Sequence, residues 1–222
     1  MNSSYEGIVL VNKSINKSSF SIIAQLRKIL NVKKIGHAGT LDPLATGLMI
    51  ILVGKKYTRQ ASLFTNHEKE YIAKIHLGYT TKSYDSEMEL IKKSDYIPSL
   101  DEIEKILEEF QGEVLQTPPM FSAKKIKGKR LYKLARQDIE VFREPISINL
   151  KTTLISYSYP FLELKITCSK GTYIRSIAND LGIKLNTGAY LYNLTRTKSG
   201  KFDLKDAISQ DELSIDTVKF IS

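Results

Sequence analysis

Three segments of this chain hold residue types that can do chemistry. The densest is Gly36-His37-Ala38-Gly39-Thr40-Leu41-Asp42-Pro43-Leu44-Ala45-Thr46-Gly47. Asp42 precedes a proline, which drives its backbone out of the helical region. It lies between glycines, just ahead of the apolar run 47–53. A carboxylate fixed on a short loop at the edge of a strand is placed to act as nucleophile or general base. The competing reading is an Asx-turn residue that stabilises the Asp-Pro turn.

The second segment is Thr117-Pro118-Pro119-Met120-Phe121-Ser122-Ala123-Lys124-Lys125, continuing to Arg136. Residues 124–136 carry seven cations and no anion, with Tyr132 among them and Phe121 just before. Cations for phosphates and rings for stacking are the composition of an RNA contact. An exposed charged helix is the alternative, and the lack of alternating acids counts against it. The third segment is 168–182, where Gly171 opens a helix and Arg175 falls in its first turn. Arg175 shares a face with Ile174, Ile177, Ala178 and Leu181, and a cation there needs a partner because a lone buried charge is costly. It is either a packing or surface residue, or a cation that orients Asp42.

The elements that must position these segments follow from hydrophobic periodicity. Residues 6–12 read as a buried strand, and 18–30 as a helix capped by Ser18 or Ser19, with Ile22, Ile23, Leu26, Ile29 and Leu30 in one stripe. A Gly-rich loop starts at Gly36, a strand covers 47–53, and 55–64 suits a helix. In 71–77, Tyr71, Ala73, Ile75 and Leu77 alternate with Ile72, Lys74 and His76, which is a strand pattern. Residues 80–95 are polar and acidic, with a loop at Tyr84-Asp85-Ser86. Ser99 to Glu102 forms a capping box opening a helix to about Phe110, ended by Gly112. Strands are expected over 146–157, 161–168 and 191–197, and a helix over 172–185. Without strict βαβ alternation, the fold class is α+β, with a mixed, largely antiparallel sheet flanked by helices.

Composition bounds the function. The 222 residues hold 33 Lys and Arg against 24 Asp and Glu, a net charge of +9. The excess is uneven: nine basic and two acidic residues in 1–60, six and twelve in 61–118, fifteen and five in 119–200, three and five in 201–222. Two basic blocks around an acidic one suggest a basic face that attracts polyanions. No apolar run is long enough to span a membrane, and the N-terminus lacks the pattern of a secretory signal. One cysteine, Cys168, excludes an intramolecular disulfide, and three scattered histidines with it exclude the usual structural zinc patterns. A cytoplasmic protein without metal or cofactor is the expectation.

Together these segments resemble the TruB family of tRNA pseudouridine synthases, which act on uridine 55 of the T loop. The match includes the run 36–47, Lys69-Glu70-Tyr71, Gln116-Thr117-Pro118-Pro119, Ser122-Ala123-Lys124-Lys125, 168–175, and Gly188-Ala189-Tyr190-Leu191 to Arg196. Where the family has Lys-Pro-x-Gly near its start, this chain has Lys13-Ser14-Ile15-Asn16, and Phe121 stands where a Tyr is frequent. The resemblance implies that Asp42 is the catalytic aspartate. Tyr71 would stack on the flipped base and take the C5 proton, and Arg175 would pair with Asp42. It implies substrate binding by His37, which would enter the T loop, by Leu194 in the uracil pocket, and by Lys13, Lys124, Lys125, Arg130 and Tyr173. It implies neither metal nor cofactor, and a monomer whose partner is the T arm of tRNA. A non-catalytic tRNA-binding or tRNA-folding module is the alternative. The expected organisation is a catalytic domain over 1–202, a basic RNA-contacting insertion at about 116–136, and a tail over 203–222. That tail is too short for the family's PUA-type RNA-binding domain and is expected to form one short helix.

Overall fold

The computed structural model describes residues 5–126 and 128–221. In chain order its first elements are β1 (Gly7–Lys13), α1 (Ser19–Leu30), β2 (Ile35–Ala38), β3 (Ala45–Val53), α2 (Lys55–Thr58), α3 (Ala61–Thr65) and β4 (Lys69–Leu77). Then come β5 (Tyr79–Thr80), β6 (Ile91–Lys92), α4 (Leu100–Glu108), β7 (Gly112–Gln116), β8 (Lys125–Ile126), β9 (Lys129–Arg130) and α5 (Leu131–Ala135). The chain ends with β10 (Ile146–Ser158), β11 (Phe161–Cys168), α6 (Ile174–Lys184), β12 (Ala189–Ser199), β13 (Phe202–Asp203) and β14 (Ile208–Ser209), with short 3-10 turns at Leu204–Asp206 and Gln210–Glu212. This is an α+β fold. Among the described residues no helix is long and apolar enough to cross a membrane.

The chain divides into two compact units: residues up to Ile72 together with those from Leu194 onward, and Ala73–Asn193. In the first unit, β3 is the centre. Its run of aliphatic residues from Leu48 to Val53 is buried, as expected for a strand covered on both faces. One edge of β3 pairs antiparallel with β1, with Val11 opposite Met49. The other edge is shared. Residues Ala45 to Gly47 run parallel to Leu194–Arg196 of β12, and Ile50 to Val53 pair antiparallel with β2. One core layer joins Ile8, Leu10, Ala38, Leu48, Ile50, Leu52 and Phe202, and Tyr57, Ala61 and Phe64 from α2 and α3 pack against it.

Ser18 is the N-cap of α1, accepting from the Ser21 amide, and Asn31 ends the helix in the left-handed conformation. Two expectations need correction here. The segment from Gly36 is not loop until after Ala38, because β3 offers an open edge and the backbone pairs with it. The helix expected over 55–64 is two short ones, since the Thr58 hydroxyl bonds back to the Gly54 and Lys55 carbonyls and closes the first.

The tail is also not a helix. Asp203 and Ser209 each bond an amide two residues on, which favours tight turns over helix continuation. Between those turns β14 runs parallel to β1, pairing Val11 with Ile208, and Ile221 forms an antiparallel bridge to Ile8. Gln210, buried, accepts from the Ser14 amide and donates to the Ser21 hydroxyl. The tail therefore covers the edge of β1, which would otherwise present unpaired backbone groups.

In the second unit, β10 pairs antiparallel with β11 on one side and β7 on the other, with a register shift between Leu154 and Ser156. The α4 helix opens with the full capping box of Ser99 and Glu102 and packs on β10 and α6. Thr152 and the Gln111 side chain exchange hydrogen bonds beneath it.

Candidate active site

The chain leaves β2 at Ala38 and enters β3 at Ala45, and Asp42 rides on the connection. Its backbone is anchored on every side. The Ser19 hydroxyl accepts from the Leu41 amide at 2.9 Å and donates to the Leu41 carbonyl at 2.8 Å. The Asp42 carbonyl accepts from the Ala45 amide at 3.1 Å, closing a turn with Pro43 at its second position. The Pro43 carbonyl accepts from the Asn16 amide at 2.9 Å and from the Lys13 ammonium at 3.2 Å. Asn16 holds φ 60°, the left-handed conformation that asparagine tolerates, so the loop keeps its turn without the family's glycine. Asp42 itself is half-buried.

Lys13 is 0 % exposed, and its Nζ also donates to the Lys17 carbonyl at 2.6 Å. It is a buried strut for the Asp42 loop rather than a surface cation. His37 is half-buried on β2, opposite Ile51. Burial, and secondarily the Arg196 guanidinium, holds its pKa below the ordinary histidine value. Leu194 is buried on β12 opposite Ala45. Tyr71 is buried on the inward face of β4 together with Ala73, Ile75 and Leu77, the face its alternation predicts. Gly47 is required where β3 meets β12: it has φ +104°, and an added Cβ would lie 2.3 Å from the Arg196 carbonyl.

Arg175 belongs to the second unit and is 7 % exposed. Its guanidinium donates to the Ser83 carbonyl at 3.1 Å and the Phe121 carbonyl at 2.9 Å, and lies 3.4 Å from an Asp85 carboxylate oxygen. Asp85 is 2 % exposed; its carboxylate accepts from the Ser83 hydroxyl and the Glu87 amide. The sequence gives Asp85 no role beyond a loop position in the polar, acidic stretch 80–95. The available signal was Thr81, Ser83 and Asp85 at alternate positions, a polar cluster able to satisfy itself when buried.

Gln116 lies in one of the matching motifs, and the sequence alone gives it no role. Its amide group donates to the Tyr173 carbonyl at 3.0 Å and accepts from the Tyr173 amide at 2.8 Å. It thereby fixes the residue that caps α6, two residues before Arg175.

The basic segment forms a closed loop. The Tyr132 amide bonds the Ser122 carbonyl and the Leu131 amide the Lys124 carbonyl, with β8 paired to β9 at the tip. Lys124, Lys125, Lys129 and Arg130 are exposed, and Lys127, part of the same cationic run, lies outside the described residues. Tyr173 is half-buried. Asp42, His37, Lys13, Tyr71 and Leu194 thus fall in the first unit, and Arg175, Tyr173, Lys124, Lys125 and Arg130 in the second. Among the described residues no group of three or more His, Cys, Asp or Glu is arranged to hold a metal ion.

The family model described as TruB family pseudouridylate synthase, N-terminal domain, matches residues 27–174. A tRNA pseudouridine synthase B of Protochlamydia amoebophila (strain UWE25) is 56% identical, over 94% of this chain and 79% of its own. That of Chlamydia pneumoniae is 49% identical, over 91% and 86% respectively. That of Clostridium tetani (strain Massachusetts / E88) is 42% identical, over 96% and 74%. Among solved structures, a chain of a Cbf5-Nop10-Gar1 complex is similar with a TM-score of 0.74 at 27% identity, over 95% of this chain and 54% of that one. A chain of an H/ACA RNP bound to a substrate RNA containing 2'-deoxyuridine has a TM-score of 0.69 at 24% identity, over 95% and 52%, a likeness of fold alone. This chain spans about half the length of those two solved chains. A family match over most of the sequence, joined to relatives of this identity and coverage, means that the chain belongs to the TruB family of pseudouridylate synthases.

Proposed function

We propose that this protein isomerises uridine to pseudouridine in tRNA, at position 55 of the T loop, with Asp42 as the catalytic group. The observation that carries the reading is the Asp42 loop: a half-buried carboxylate whose backbone is held by Ser19, Asn16 and Lys13. Such anchoring pre-organises a reacting group. The tRNA substrate follows from relatives named tRNA pseudouridine synthase B at up to 56% identity.

The isomerisation conserves atoms. The bond from ribose C1′ to uracil N1 breaks, a bond from C1′ to C5 forms, C5 loses a proton and N1 gains one. None of this can happen inside a base stack, so the nucleotide must be everted. In this reading Asp42 carries the cleavage step, Tyr71 stacks on the everted base and takes the C5 proton, and Leu194 walls the uracil. His37 holds the base out of the T loop. The pairing of Arg175 with Asp42 rests on the family resemblance. Lys124, Lys125 and Arg130 bind phosphates, and Tyr173 contributes to the substrate site. The protein works in the cytoplasm as a monomer on the T arm, without metal or cofactor. Lys13 acts by holding the Pro43 carbonyl.

The test is Asp42→Asn, assayed by tritium release from C5-labelled uridine in tRNA. The expected result is loss of release with tRNA binding retained. Substantial turnover by the variant overturns the assignment. A wild-type protein that binds T-arm RNA and leaves it unmodified would make this a binding or folding module instead.

A further inference from the structure

The shared edge of β3 leaves a seam. Its neighbour is β12 as far as Gly47 and β2 from Ile50 onward. Between them, at Leu48 and Met49, neither strand supplies a partner on that edge in these registers. The Arg196 side chain fills the place. Its Nε donates to the Leu48 carbonyl at 2.6 Å, and one Nη lies 3.1 Å from the Met49 sulfur. The same Nη donates at 3.2 Å to the carbonyl of Gly39, where the chain turns off β2 toward Asp42. Arg196 is 1 % exposed, and its size makes it foremost among the fully buried side chains. Its acceptors among the described residues are two carbonyls and a thioether rather than a carboxylate.

A buried guanidinium without a neutralising acid is an expensive way to close a sheet, and an apolar residue of similar volume would cost less. What an apolar residue could not do is grip both strands of the seam and the loop that leaves it. We infer that Arg196 is a positioning residue for catalysis: it fixes the start of the loop that carries Asp42, and so sets where His37 and Asp42 meet the substrate. The inference rests on the reading of Asp42 as the catalytic group. The loop is then held at its start by Arg196, through Gly39, and next to Asp42 by Ser19, through Leu41.

The arrangement has a second mark. The guanidinium adds to burial in lowering the His37 pKa. The other cations on elements packed against β2 are Arg27 of α1, which donates to the Ile35 carbonyl, the exposed Lys28 of α1, and the exposed Lys55 and Lys56 of α2; α3 carries no charge.

The experiment compares wild type, Arg196→Gln, Arg196→Lys and Asp42→Asn. It measures steady-state pseudouridine formation on tRNA and follows the His37 ring by NMR titration, assigned by its loss in His37→Gln. Arg196→Gln should lower kcat on the order of 10²-fold, the cost of a catalytic group misplaced by about an ångström, with KM changed far less. Its His37 pKa should rise. Arg196→Lys should keep the depressed His37 titration but recover little of the rate, because an ammonium cannot span the carbonyls of Leu48 and Gly39. Wild-type rate in Arg196→Gln overturns the inference. So does a lowered rate with His37 unmoved, which marks a merely structural residue. If neither Arg196 variant folds, a wild-type His37 that titrates at or above the ordinary histidine value overturns it. Full activity in Asp42→Asn defeats the reading of the site instead, and is told apart by that variant alone.

Discussion

Ser19→Ala removes one oxygen and tests whether the Asp42 loop is pre-organised. The Ser19 hydroxyl makes both bonds to Leu41, at 2.9 and 2.8 Å, and Ser19 and Leu41 are each 4 % exposed. No solvent reaches the site to replace the lost group. Leaving the Leu41 amide buried and unsatisfied costs about 1–3 kcal/mol, and the carbonyl bond adds about 0.5–1.5 kcal/mol. A total near 2–4 kcal/mol is below the roughly 5–15 kcal/mol that holds a typical domain together, so the variant folds. Its cheapest relief is for the loop to leave its anchored position and hydrate the Leu41 amide. If that displaced state is favoured by about 2 kcal/mol, the competent fraction and the single-turnover rate fall roughly 30-fold, at tenfold per 1.36 kcal/mol. The assay is single-turnover tritium release at saturating enzyme, with urea unfolding on the same samples. Ser18→Ala is the control. It removes the N-cap of α1, a bond to the Ser21 amide at 3.2 Å, at a cost of about 1 kcal/mol, and should leave the rate unchanged. A Ser19→Ala protein with wild-type rate and midpoint would refute the argument. So would a Ser18→Ala protein that loses rate equally.

Three further outcomes are expected. Asp85→Ala strips a carboxylate from the buried Arg175 guanidinium, which should destabilise the protein by about 3–5 kcal/mol in urea unfolding; a change below the error of the fit would show that the guanidinium's other partners suffice. Lys124→Ala with Lys125→Ala should weaken tRNA binding and reduce the steepness of its salt dependence by about one for each phosphate no longer neutralised, and an unchanged slope removes this loop from the RNA interface. Burial lowers the pKa of His37, and also that of His76, which packs among Tyr79, Phe161 and Tyr190. The unfolded chain therefore takes up these protons first, so stability is complete above about pH 6.5 and falls as pH drops toward the folded values; unfolding free energies that are flat from pH 7.5 to 5 contradict it.

Much of this was legible in the sequence, and the rest was hidden for identifiable reasons. Strands with strict alternation, such as β4 and β11, were plain, and the capping box of α4 was read to the residue. The Asp42 loop announced itself because Asp-Pro between glycines has few backbone options. Ser18 and Ser19 were indistinguishable as caps, since only the position of Leu41 makes one of them turn inward. The β2 strand is three small or polar residues after Ile35, with no propensity of its own, and exists because the edge of β3 pairs with it. Asp85 and Arg196 escaped because a charged side chain looks solvated until its partners are known. Those partners lie far along the chain: Arg175 for Asp85, and Leu48 and Gly39 for Arg196.

The tail that covers β1 also sets a timetable for synthesis. The β1 edge, at Ile8 and Val11, is made well before Ile208 and Ile221, which cover it. At roughly 5–20 residues per second, the 200 or so residues between them take on the order of 10–40 seconds to make. The second unit is one uninterrupted stretch, Ala73–Asn193, and can close while the first waits with an uncovered strand edge. Arg196 and Gln210 arrive after it. The Asp42 loop, made before the second unit, therefore receives its Arg196 clamp only after that unit has been made.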